Sequence, residues 1–383
     1  KDCKSGDIFF AINGTNSNGK NFINDAINKG AKIIISELNF EGYDKKNILF
    51  IKTKNPRSLL AEAANNYYPN KPKNIIGVTG TNGKTSIANF YYQILSLNNK
   101  RAASIGTLGI YSKKLKIKTN NTTVDSVNLH KTLQKLKKLN IENVILEASS
   151  HGLKQYRLNN ISFKTALFTN LSRDHLDYHK TFKDYLNSKL ILFRKLLINR
   201  GNIIFDEIAP QTHQLNNISK KKKLKKYTFG TKKSLIKIIN IAKINDHKIV
   251  DFSINKKIYS FKTSLIGKIQ IKNLIYAIIA AHLSNIKIDD ILKIIHKIKP
   301  INGRLEKIGS IKNNSKVILD YAHTPDALKT AILNVKEDYP LSNISIVFGC
   351  GGNRDKYKRS LMGGIASKYC DKIYLTDDNP RTE

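Results

Sequence analysis

The first stretch of the chain, residues 1–70, alternates strand-like and helix-like hydrophobic patterns. The segment GDIFFAING is typical of a strand that runs into a loop. NFINDAINKGA has the spacing of an amphipathic helix, and KIIIS is a short apolar run typical of a buried strand. We therefore predict a small α/β domain here. The two prolines within Tyr67–Asn74 predict a linker at its end.

Residues 71–300 repeat this alternation over a longer stretch. Apolar runs predict buried strands at Asn74–Thr79, Asn143–Glu147, Lys164–Asn170 and Asn202–Phe205. Helical patterns separate these runs, which is typical of a parallel sheet with crossover helices. Residues 235–263 change to short alternating segments, so we expect antiparallel strands there. Helices at about Asn273–Ser284 and Asp289–His296 should close this domain before Pro300.

The third stretch, residues 301–383, predicts a βαβαβ array. Its strands are expected at Lys316–Asp320, Ile344–Gly349 and Lys372–Asp377, with one helix opened by Pro325 and another ending near Cys370. The remaining strands of such a sheet should follow Glu383. Because the sequence also opens at Lys1 without an initiator Met, we expect a fragment cut at both ends.

Composition narrows the class of protein. With 383 residues, 40% hydrophobic and 25% charged, the chain is long enough for two or three folded domains and is not disordered. No apolar run approaches the roughly 20 residues that span a bilayer, so no membrane insertion is expected. Three scattered cysteines are too few for a disulfide framework or a zinc site, which favours a reducing cytoplasm.

The formal net charge of +37 predicts non-specific attraction to polyanions. Lysines are nevertheless spread over the whole chain, and the densest run, Lys220–Lys226, has no aromatic interleaving and no nucleic-acid motif. We interpret the charge as a solvated surface and expect no specific nucleic acid as a partner. A functional polyanion site is the alternative.

GVTGTNGKTS, residues 77–86, joins a predicted strand to a predicted helix, where a phosphate-binding loop belongs. Its backbone N–H groups can hold phosphate oxygens, Lys84 can reach the β- and γ-phosphates, and the Thr85 hydroxyl can bind Mg²⁺. The usual pattern is incomplete, because Val78 stands where its first glycine would be. An ordinary glycine-rich turn is the alternative.

Two further predicted strands end in polar residues. Glu147 closes the strand before SSHG, at the sheet edge where ligands bind, so it is placed to hold a metal on the phosphates or, alternatively, to cap the next helix. Asp174, His175, Asp177 and His179 follow the next strand. Zinc is the rival interpretation, but no cysteine or distant histidine completes a set. We favour Mg²⁺ with one imidazole ligand.

These motifs, in this order, resemble the Mur ligases, the ATP-dependent amide-forming enzymes of peptidoglycan synthesis. The resemblance continues through NTTVDS, IKNLIYAIIAA, GRLE, DYAHTPDAL, VFGCGGNRD and DDNPRTE, and so covers essentially the whole chain. It implies a three-domain α/β fold with an N-terminal UDP-binding domain, a central P-loop ATPase domain with a mostly parallel sheet, and a truncated, Rossmann-like C-terminal domain. It also implies that a substrate carboxylate attacks ATP to give an acyl phosphate, which an amine then displaces.

The resemblance assigns roles to individual residues. Lys84, Glu147, His175 and Lys189 would be catalytic, and the metals would be held by Thr85, Glu147, His175 and a carbamylated Lys189. ATP would be bound by Gly80, Thr81, Asn82, Gly83, Lys84, Thr85, Ser86, Asn273, Arg304 and Asp320. Of the residues that would bind the UDP-MurNAc-dipeptide, Thr15, Asn16 and Ser17 would lie near the uridine diphosphate. The MurNAc-dipeptide end would be held by Asn121, Thr122, Thr123, Ser149, Gln155 and Arg157. Read without the resemblance, Lys189 is a surface residue of an amphipathic helix.

The amino acid that is added follows from the last motif. Meso-diaminopimelate carries one more carboxylate than L-lysine, and an arginine suits planar carboxylate recognition. The residues implied for diaminopimelate are Arg354, Asp378, Asn379, Pro380 and Arg381. The resemblance thus predicts a ligase that adds diaminopimelate to UDP-MurNAc-L-Ala-D-Glu, with ATP and Mg²⁺, as a monomer. A lysine-adding relative, a folylpolyglutamate synthase and a nucleic-acid-binding P-loop protein are the alternatives.

Overall fold

The computed structural model describes residues 3–14, 17–311, 315–352 and 356–383. Its helices are α1 (Ile23–Asn28), α2 (Pro56–Tyr67), α3 (Lys84–Leu97), α4 (Ser126–Lys138), α5 (Ser150–Lys154), α6 (Leu176–His179), α7 (Phe182–Ile191), α8 (Thr212–Lys222), α9 (Lys268–His282), α10 (Ile288–Ile294), α11 (Pro325–Asp338) and α12 (Tyr357–Tyr369). Its strands are β1 (Ile8–Phe10), β2 (Ile33–Ser36), β3 (Gly42–Tyr43), β4 (Leu49–Lys52), β5 (Asn74–Thr79), β6 (Ala102–Gly106), β7 (Gly109–Ser112), β8 (Lys116–Ile117), β9 (Asn143–Glu147), β10 (Phe163–Phe168), β11 (Leu197–Asp206), β12 (Lys225–Phe229), β13 (Ile236–Ile244), β14 (His247–Ile254), β15 (Lys257–Thr263), β16 (Glu306–Ser310), β17 (Lys316–Leu319), β18 (Ser345–Phe348) and β19 (Lys372–Leu375). No helix of the described ranges is long and apolar enough to cross a membrane.

The N-terminal stretch forms the predicted α/β unit around a four-stranded sheet. The strand order is β1-β2-β4-β3, in which β1, β2 and β4 run parallel and β3 is antiparallel. Ala11, Ala31 and Ile34 are fully buried between this sheet and α1. The helix α2 ends at Tyr67, where the predicted linker begins.

The central unit is built on an eight-stranded sheet of order β12-β11-β10-β5-β9-β6-β7-β8. The first six strands run parallel, β7 pairs antiparallel with β6, and β8 pairs antiparallel with β7. β5 lies between β9 and β10, so the chain segments that follow these three strands meet at one edge of the sheet. The strand predictions for this unit are therefore confirmed, and the sheet brings their polar ends together.

β5 forms a strand because both of its faces are buried. Ile76 and Val78 pack into one core with α3 and α9, whereas Ile75 faces a second core beneath α4. Parallel strands covered by helices on both faces are continuously apolar, which is the pattern NIIGVT shows. The phosphate-loop candidate that follows β5 is thus held by two hydrophobic cores.

The end of the central unit differs slightly from the sequence prediction. β13, β14 and β15 form the expected antiparallel sheet, but α9 begins at Lys268, five residues before the predicted start. Gly267 precedes it with a φ of 79°. The first N–H groups of α9 find acceptors on α11, since Gly267 N–H donates to Asp338 Oδ2 at 3.0 Å and Ile269 N–H donates to Asn334 Oδ1 at 3.1 Å. This capping comes from residues distant in sequence, so local pattern did not reveal it.

The third unit has the predicted βαβαβ order of elements, β17-α11-β18-α12-β19, and the additional strand β16 precedes it. β17 pairs antiparallel with β16, and β18 pairs parallel with β19. Within the described residues no pairing joins β17 to β18. The strand β16 is short, polar and exposed, so its sequence carried no strand signal and the partner of β17 was missed.

A buried ion pair joins the third unit to the central unit. Asp338 on α11 pairs with Lys248 on β14, and both side chains are 8% exposed. Lys248 also donates to the Leu265 carbonyl at 3.0 Å. On the same interface Lys268 pairs with Glu337, but both of those side chains are well exposed. We therefore expect that breaking the buried pair lowers the free energy of unfolding much more than breaking the exposed pair.

Asp338→Ala should lower the free energy of unfolding by about 3–5 kcal/mol, because it leaves a buried lysine without its counter-charge. Urea unfolding measures this. The matched control is Glu337→Gln, which breaks the exposed pair and should cost no more than about 1 kcal/mol. Equal losses in the two variants would contradict the assignment of the Asp338 pair as buried and costly to break.

Candidate active site

The phosphate-loop candidate turns sharply between β5 and α3. Gly80 has a φ of 145° and Gly83 a φ of 87°, values that side chains rarely allow. A Cβ at Gly80 would overlap the Thr169 hydroxyl, and one at Gly83 would lie 2.8 Å from Asn273 Oδ1. Both glycines are therefore required by close neighbours as well as by backbone conformation.

The end of β10 holds this loop in place. Thr81 N–H donates to the Asn170 carbonyl at 2.9 Å, and Asn82 N–H donates to Asn170 Oδ1 at 2.9 Å. The Thr169 hydroxyl donates to the Asn82 carbonyl at 2.6 Å. α3 then begins with Thr85 and Ser86 buried in its first turn, and no described side chain caps its N terminus. The N terminus of a fourteen-residue helix thus faces the loop, and such a terminus favours an anion.

Lys84 lies at the start of α3 and bends back over the loop. Its Nζ donates to the carbonyls of Gly80 at 2.9 Å and Thr81 at 2.7 Å. Burial lowers the pKa of this half-buried lysine, and the carboxylates of Glu147 and Asp174 oppose that shift. The side chain is already held where a phosphate on the loop would meet its positive charge.

Glu147, at the end of β9, is buried beside Thr85, as the sequence predicts. Its Oε2 accepts hydrogen bonds from the hydroxyls of Thr85 at 2.9 Å and Thr107 at 3.1 Å, and its Oε1 accepts from Thr107 N–H at 2.9 Å. A Cβ at Gly106 would overlap this carboxylate. Sequence reasoning missed Gly106 and Thr107, because only the strand order places the end of β6 next to β9.

Lys189 is the site residue whose surroundings differ most from the naive surface interpretation. Its side chain is only 1% exposed, its Nζ donates to the Gly80 carbonyl at 2.7 Å, and it lies 4.3 Å from the centre of the Tyr185 ring. Burial, and then the positive charge of Lys84, hold the pKa of Lys189 well below its usual 10.5, while Asp174 opposes this. Sequence reasoning did not predict Tyr185 as a neighbour of Lys189. The signal in the sequence was their spacing of four residues, which places them one turn apart on α7.

The segment after β10 brings several rings together. His175 Nε2 is 3.4 Å from Asp174 Oδ2, and its ring centre is 6.2 Å from that of Tyr185, which also neighbours Lys189. His179 is fully buried, and its Nε2 lies 2.9 Å from the Ser150 hydroxyl. Among the residues that the structure describes, no three His, Cys, Asp or Glu side chains form a metal-binding group by themselves.

The residues predicted to hold the dipeptide end of the substrate form one connected network. The Thr123 hydroxyl donates to the Glu147 carbonyl at 2.7 Å and accepts from Ser149 N–H at 3.0 Å. Arg157 Nη1 donates to the Thr123 carbonyl at 2.6 Å, and Arg157 Nη2 donates to Gln155 Oε1 at 2.7 Å.

The remaining substrate residues lie around this network. The Thr122 hydroxyl is 3.1 Å from that of Thr107, and the Asn121 carbonyl accepts from Thr119 at 3.2 Å. Near the N terminus, the Ser17 carbonyl accepts from Gly14 N–H at 2.8 Å. The predicted residues Thr15, Asn16 and Arg354, and the side chain of Asp177, lie outside the described residues.

Of the predicted nucleotide residues of α9 and the third unit, Asn273 and Arg304 lie near the loop, and Asp320 lies beside Arg304. Asn273 is buried against Gly83. Arg304 is close enough to Lys84 for its charge to lower the pKa of that lysine, and its guanidinium lies 5.0 Å from the Tyr321 ring centre. Asp320 Oδ2 accepts from Leu305 N–H at 2.8 Å, and burial raises the pKa of this carboxyl.

The predicted diaminopimelate residues follow β19. A cavity of about 360 Å³ lies between the ends of β18 and β19 and α12, and its lining includes Asp378 and Pro380. The Asn379 carbonyl accepts from Gly352 N–H at 3.1 Å. Arg381 is exposed and is not part of the cavity lining, so the structure brings the motif to the cavity without its arginine side chain.

Three family models match the chain in sequence order. They are the Mur ligase family catalytic domain at residues 1–68, the Mur ligase middle domain at 78–281, and the Mur ligase glutamate ligase domain at 303–383.

Several curated relatives share one enzyme name. The chain is 41% identical to the UDP-N-acetylmuramoyl-L-alanyl-D-glutamate--2,6-diaminopimelate ligase of Rickettsia conorii, over 100% of the chain and 79% of the relative. It is 38% identical to the ligase of the same name from Clostridium tetani, over 100% of the chain and 78% of that relative.

Solved structures share the fold. A structure of a ligase of the same name matches with a TM-score of 0.77 at 29% identity, over 100% of this chain and 78% of that one. The MurF ligase of Thermotoga maritima in complex with ADP matches with a TM-score of 0.65 at 17% identity, over 99% of this chain and 83% of that one. A similarity at this low identity shows only that the fold is shared.

The lowered pKa of Lys189 has a measurable consequence for stability. At pH values between the lowered pKa of the folded state and 10.5, the unfolded chain binds one more proton at Lys189 than the folded chain. The free energy of unfolding should therefore rise with pH in this range. Lys189→Met should remove a slope of up to about 1.4 kcal/mol per pH unit in the pH range immediately below 10.5. Urea unfolding in CO₂-free buffer measures it. Lys183→Met, an exposed lysine on the same helix, should keep the wild-type slope, and parallel profiles for the wild type and Lys189→Met would refute the argument.

Proposed function

The chain belongs to the Mur ligase family, and we propose that it joins meso-diaminopimelate to UDP-N-acetylmuramoyl-L-alanyl-D-glutamate with cleavage of ATP. The observation that carries this proposal is the similarity of the whole chain, at up to 41% identity, to ligases of that name. Lys84 and Lys189, which both donate to the Gly80 carbonyl, and Glu147, which accepts from the Thr85 hydroxyl, supply the matching chemistry. The chain is thus a ligase of peptidoglycan precursor synthesis.

The reaction has two steps. The D-glutamyl carboxylate attacks the γ-phosphorus of ATP and ADP leaves, giving an acyl phosphate. The amine of diaminopimelate then attacks the acyl carbon, and phosphate and a proton leave as the amide forms. Phosphoryl transfer depends mainly on positioning and neutralisation of charge. The N terminus of α3 and the ammonium group of Lys84 are the groups of this chain that neutralise the transferring phosphoryl group.

We propose Mg²⁺ as the metal, held by Thr85 and Glu147. Their oxygen atoms are hard ligands of the kind Mg²⁺ prefers. The Thr85–Glu147 contact of 2.9 Å brings the two oxygens side by side. When bound, the metal would neutralise charge on the phosphates. His175 and Lys189 are proposed to hold a second ion.

Lys189 is proposed to react with CO₂ to form a carbamate. Its lowered pKa supplies the neutral amine, whose lone pair attacks the carbon of CO₂ as the amine loses a proton. The product replaces a potential cation beside Lys84 with an anion. That exchange removes a like-charge contact and creates an oxygen ligand of the kind that metals bind.

The choice of amino acid is proposed to depend on Arg381, with Arg354 at the other end of the diaminopimelate. Arginine pairs with a carboxylate through two parallel hydrogen bonds, and a site built for that contact discriminates against a substrate that lacks the group. L-lysine is the alternative amino acid. A cytoplasmic location, a monomeric state, the absence of a specific nucleic-acid partner and the domain boundaries near residues 70 and 300 stay predictions.

Lys189→Ala should lower the ligation rate by about two to three orders of magnitude with the fold intact, because it removes the charge stabilisation of the proposed carbamate. Phosphate release in the presence of all three substrates measures this. High bicarbonate or chloride should restore part of the activity. Lys183→Ala serves as the control and should keep the wild-type rate. Full activity of Lys189→Ala without additives would end the assignment.

In competition between the two amino acids on the full-length protein, diaminopimelate should be used in strong preference to L-lysine. Arg381→Ala should lose most of that preference, because the distal carboxylate would be left unpaired. Mass analysis of the tripeptide product gives the ratio directly. A wild-type preference for L-lysine would refute the substrate assignment, and DNA-stimulated phosphate release without the nucleotide sugar would refute the function as a whole.

A further inference from the structure

An arginine outside the predicted site lies at the start of α2. Asn55 caps this helix by accepting Ser58 N–H at 3.1 Å, and Pro56 and Arg57 form its first turn. Arg57 is half-buried, and its Nη2 donates to the carbonyl of Asn13 at 2.7 Å. Arg57 therefore contacts the loop after β1, whose sequence includes the residues that the resemblance to the Mur ligases assigns to the uridine diphosphate.

A second guanidinium, from the central unit, approaches the same place. Asn159 Nδ2 donates to Ser58 Oγ at 3.3 Å, which joins the first turn of α2 to the segment that carries Arg157. The positive charge of Arg57 lowers the pKa of Arg157, second only to burial, and Asp125 and Tyr178 oppose that shift. Within the described ranges neither arginine forms an ion pair with a carboxylate.

The hydrogen bonds of the two arginines show which of them has donors to spare. Arg157 uses Nη1 for the Thr123 carbonyl and both Nε and Nη2 for Gln155 Oε1, so three of its nitrogens are engaged. Arg57 uses only Nη2 among the described contacts. A guanidinium has five N–H donors, so Arg57 still has a pair of N–H groups that can donate to an anion. Two neighbouring half-buried cations without an ion-pair partner are stabilised when an anion binds to either of them.

We propose that Arg57 binds the diphosphate of the nucleotide-sugar substrate. This rests on the proposed function, which supplies a substrate with a diphosphate at one end and carboxylates at the other. Arg57 contacts Asn13 at the uridine-diphosphate end, whereas Arg157 contacts Thr123, beside Glu147 at the reacting end. In the substrate the diphosphate adjoins the uridine, and the sugar and the peptide separate it from the carboxylates. Phosphate is also the ligand that an arginine fork fits in two parallel hydrogen bonds.

The test uses UDP and uridine as probes, with binding measured on the full-length protein. Arg57→Ala should weaken UDP binding by about 10- to 100-fold, the usual effect of removing a charged hydrogen bond, and leave uridine binding unchanged. The KM for the nucleotide sugar should rise by a similar factor, with the KM for ATP unchanged. Arg57→Lys keeps the positive charge but loses the two parallel N–H donors of the guanidinium. Its affinity for UDP should therefore lie between those of the wild type and Arg57→Ala.

Lys54→Ala is the matched control. It removes one positive charge three residues away on an exposed side chain and should change UDP affinity by no more than about twofold. The proposal is overturned if Arg57→Ala and Arg57→Lys keep wild-type UDP affinity while the KM for the nucleotide sugar rises, because Arg57 would then contact a carboxylate. It is also overturned if uridine binding falls as much as UDP binding. Failure of the wild-type protein to form the tripeptide would refute the proposed function instead, since UDP binding is measured without turnover.

Discussion

The side-chain nitrogens of Lys84 and Lys189 both donate to the carbonyl oxygen of Gly80, at 2.9 and 2.7 Å. One lysine comes from the first turn of α3 and the other from α7, so this oxygen is where the two helices meet the phosphate loop. Two cations this close repel each other, and burial of Lys189 makes the repulsion costly. The protein meets that cost with a depressed lysine pKa and with the carboxylates of Glu147 and Asp174. An arrangement of this kind is suited to binding polyphosphate and oxygen-ligated metals.

The strand order creates this arrangement. β5 carries the loop, β9 delivers Glu147 on one side, and β10 delivers Thr169 and Asn170 on the other. The neighbouring β6 ends at Gly106, where the absence of a side chain leaves room for the Glu147 carboxylate. Each polar group at this edge is therefore fixed by a strand whose two faces lie in hydrophobic cores, which keeps these polar groups in place in the absence of a ligand.

The third unit is connected to the same site through α9. Asn334 and Asp338 on α11 satisfy the first N–H groups of α9, and Gln270 in the first turn of α9 donates to the Arg304 carbonyl at 3.1 Å. One turn later Asn273 lies against Gly83 of the phosphate loop. The position of the third unit and the surroundings of the loop are thus linked by a short series of contacts along one helix.

The sequence by itself determined the elements whose signals are local. The apolar runs at Asn74–Thr79 and Asn143–Glu147 are the strands β5 and β9, because a short run buried on both faces has few other stable conformations. The ordered motifs identified the family, and with it Lys84, Glu147 and Lys189 as residues to test. Only the tertiary structure decided what depends on distant neighbours. It showed that Lys189 is buried, that Thr107 and Tyr185 belong to the site, that β17 pairs with β16, and that Arg57 and Arg157 approach each other. These contacts join residues far apart in the chain, so their energies depend on strand order and domain packing, which no local pattern of hydrophobic and polar positions encodes.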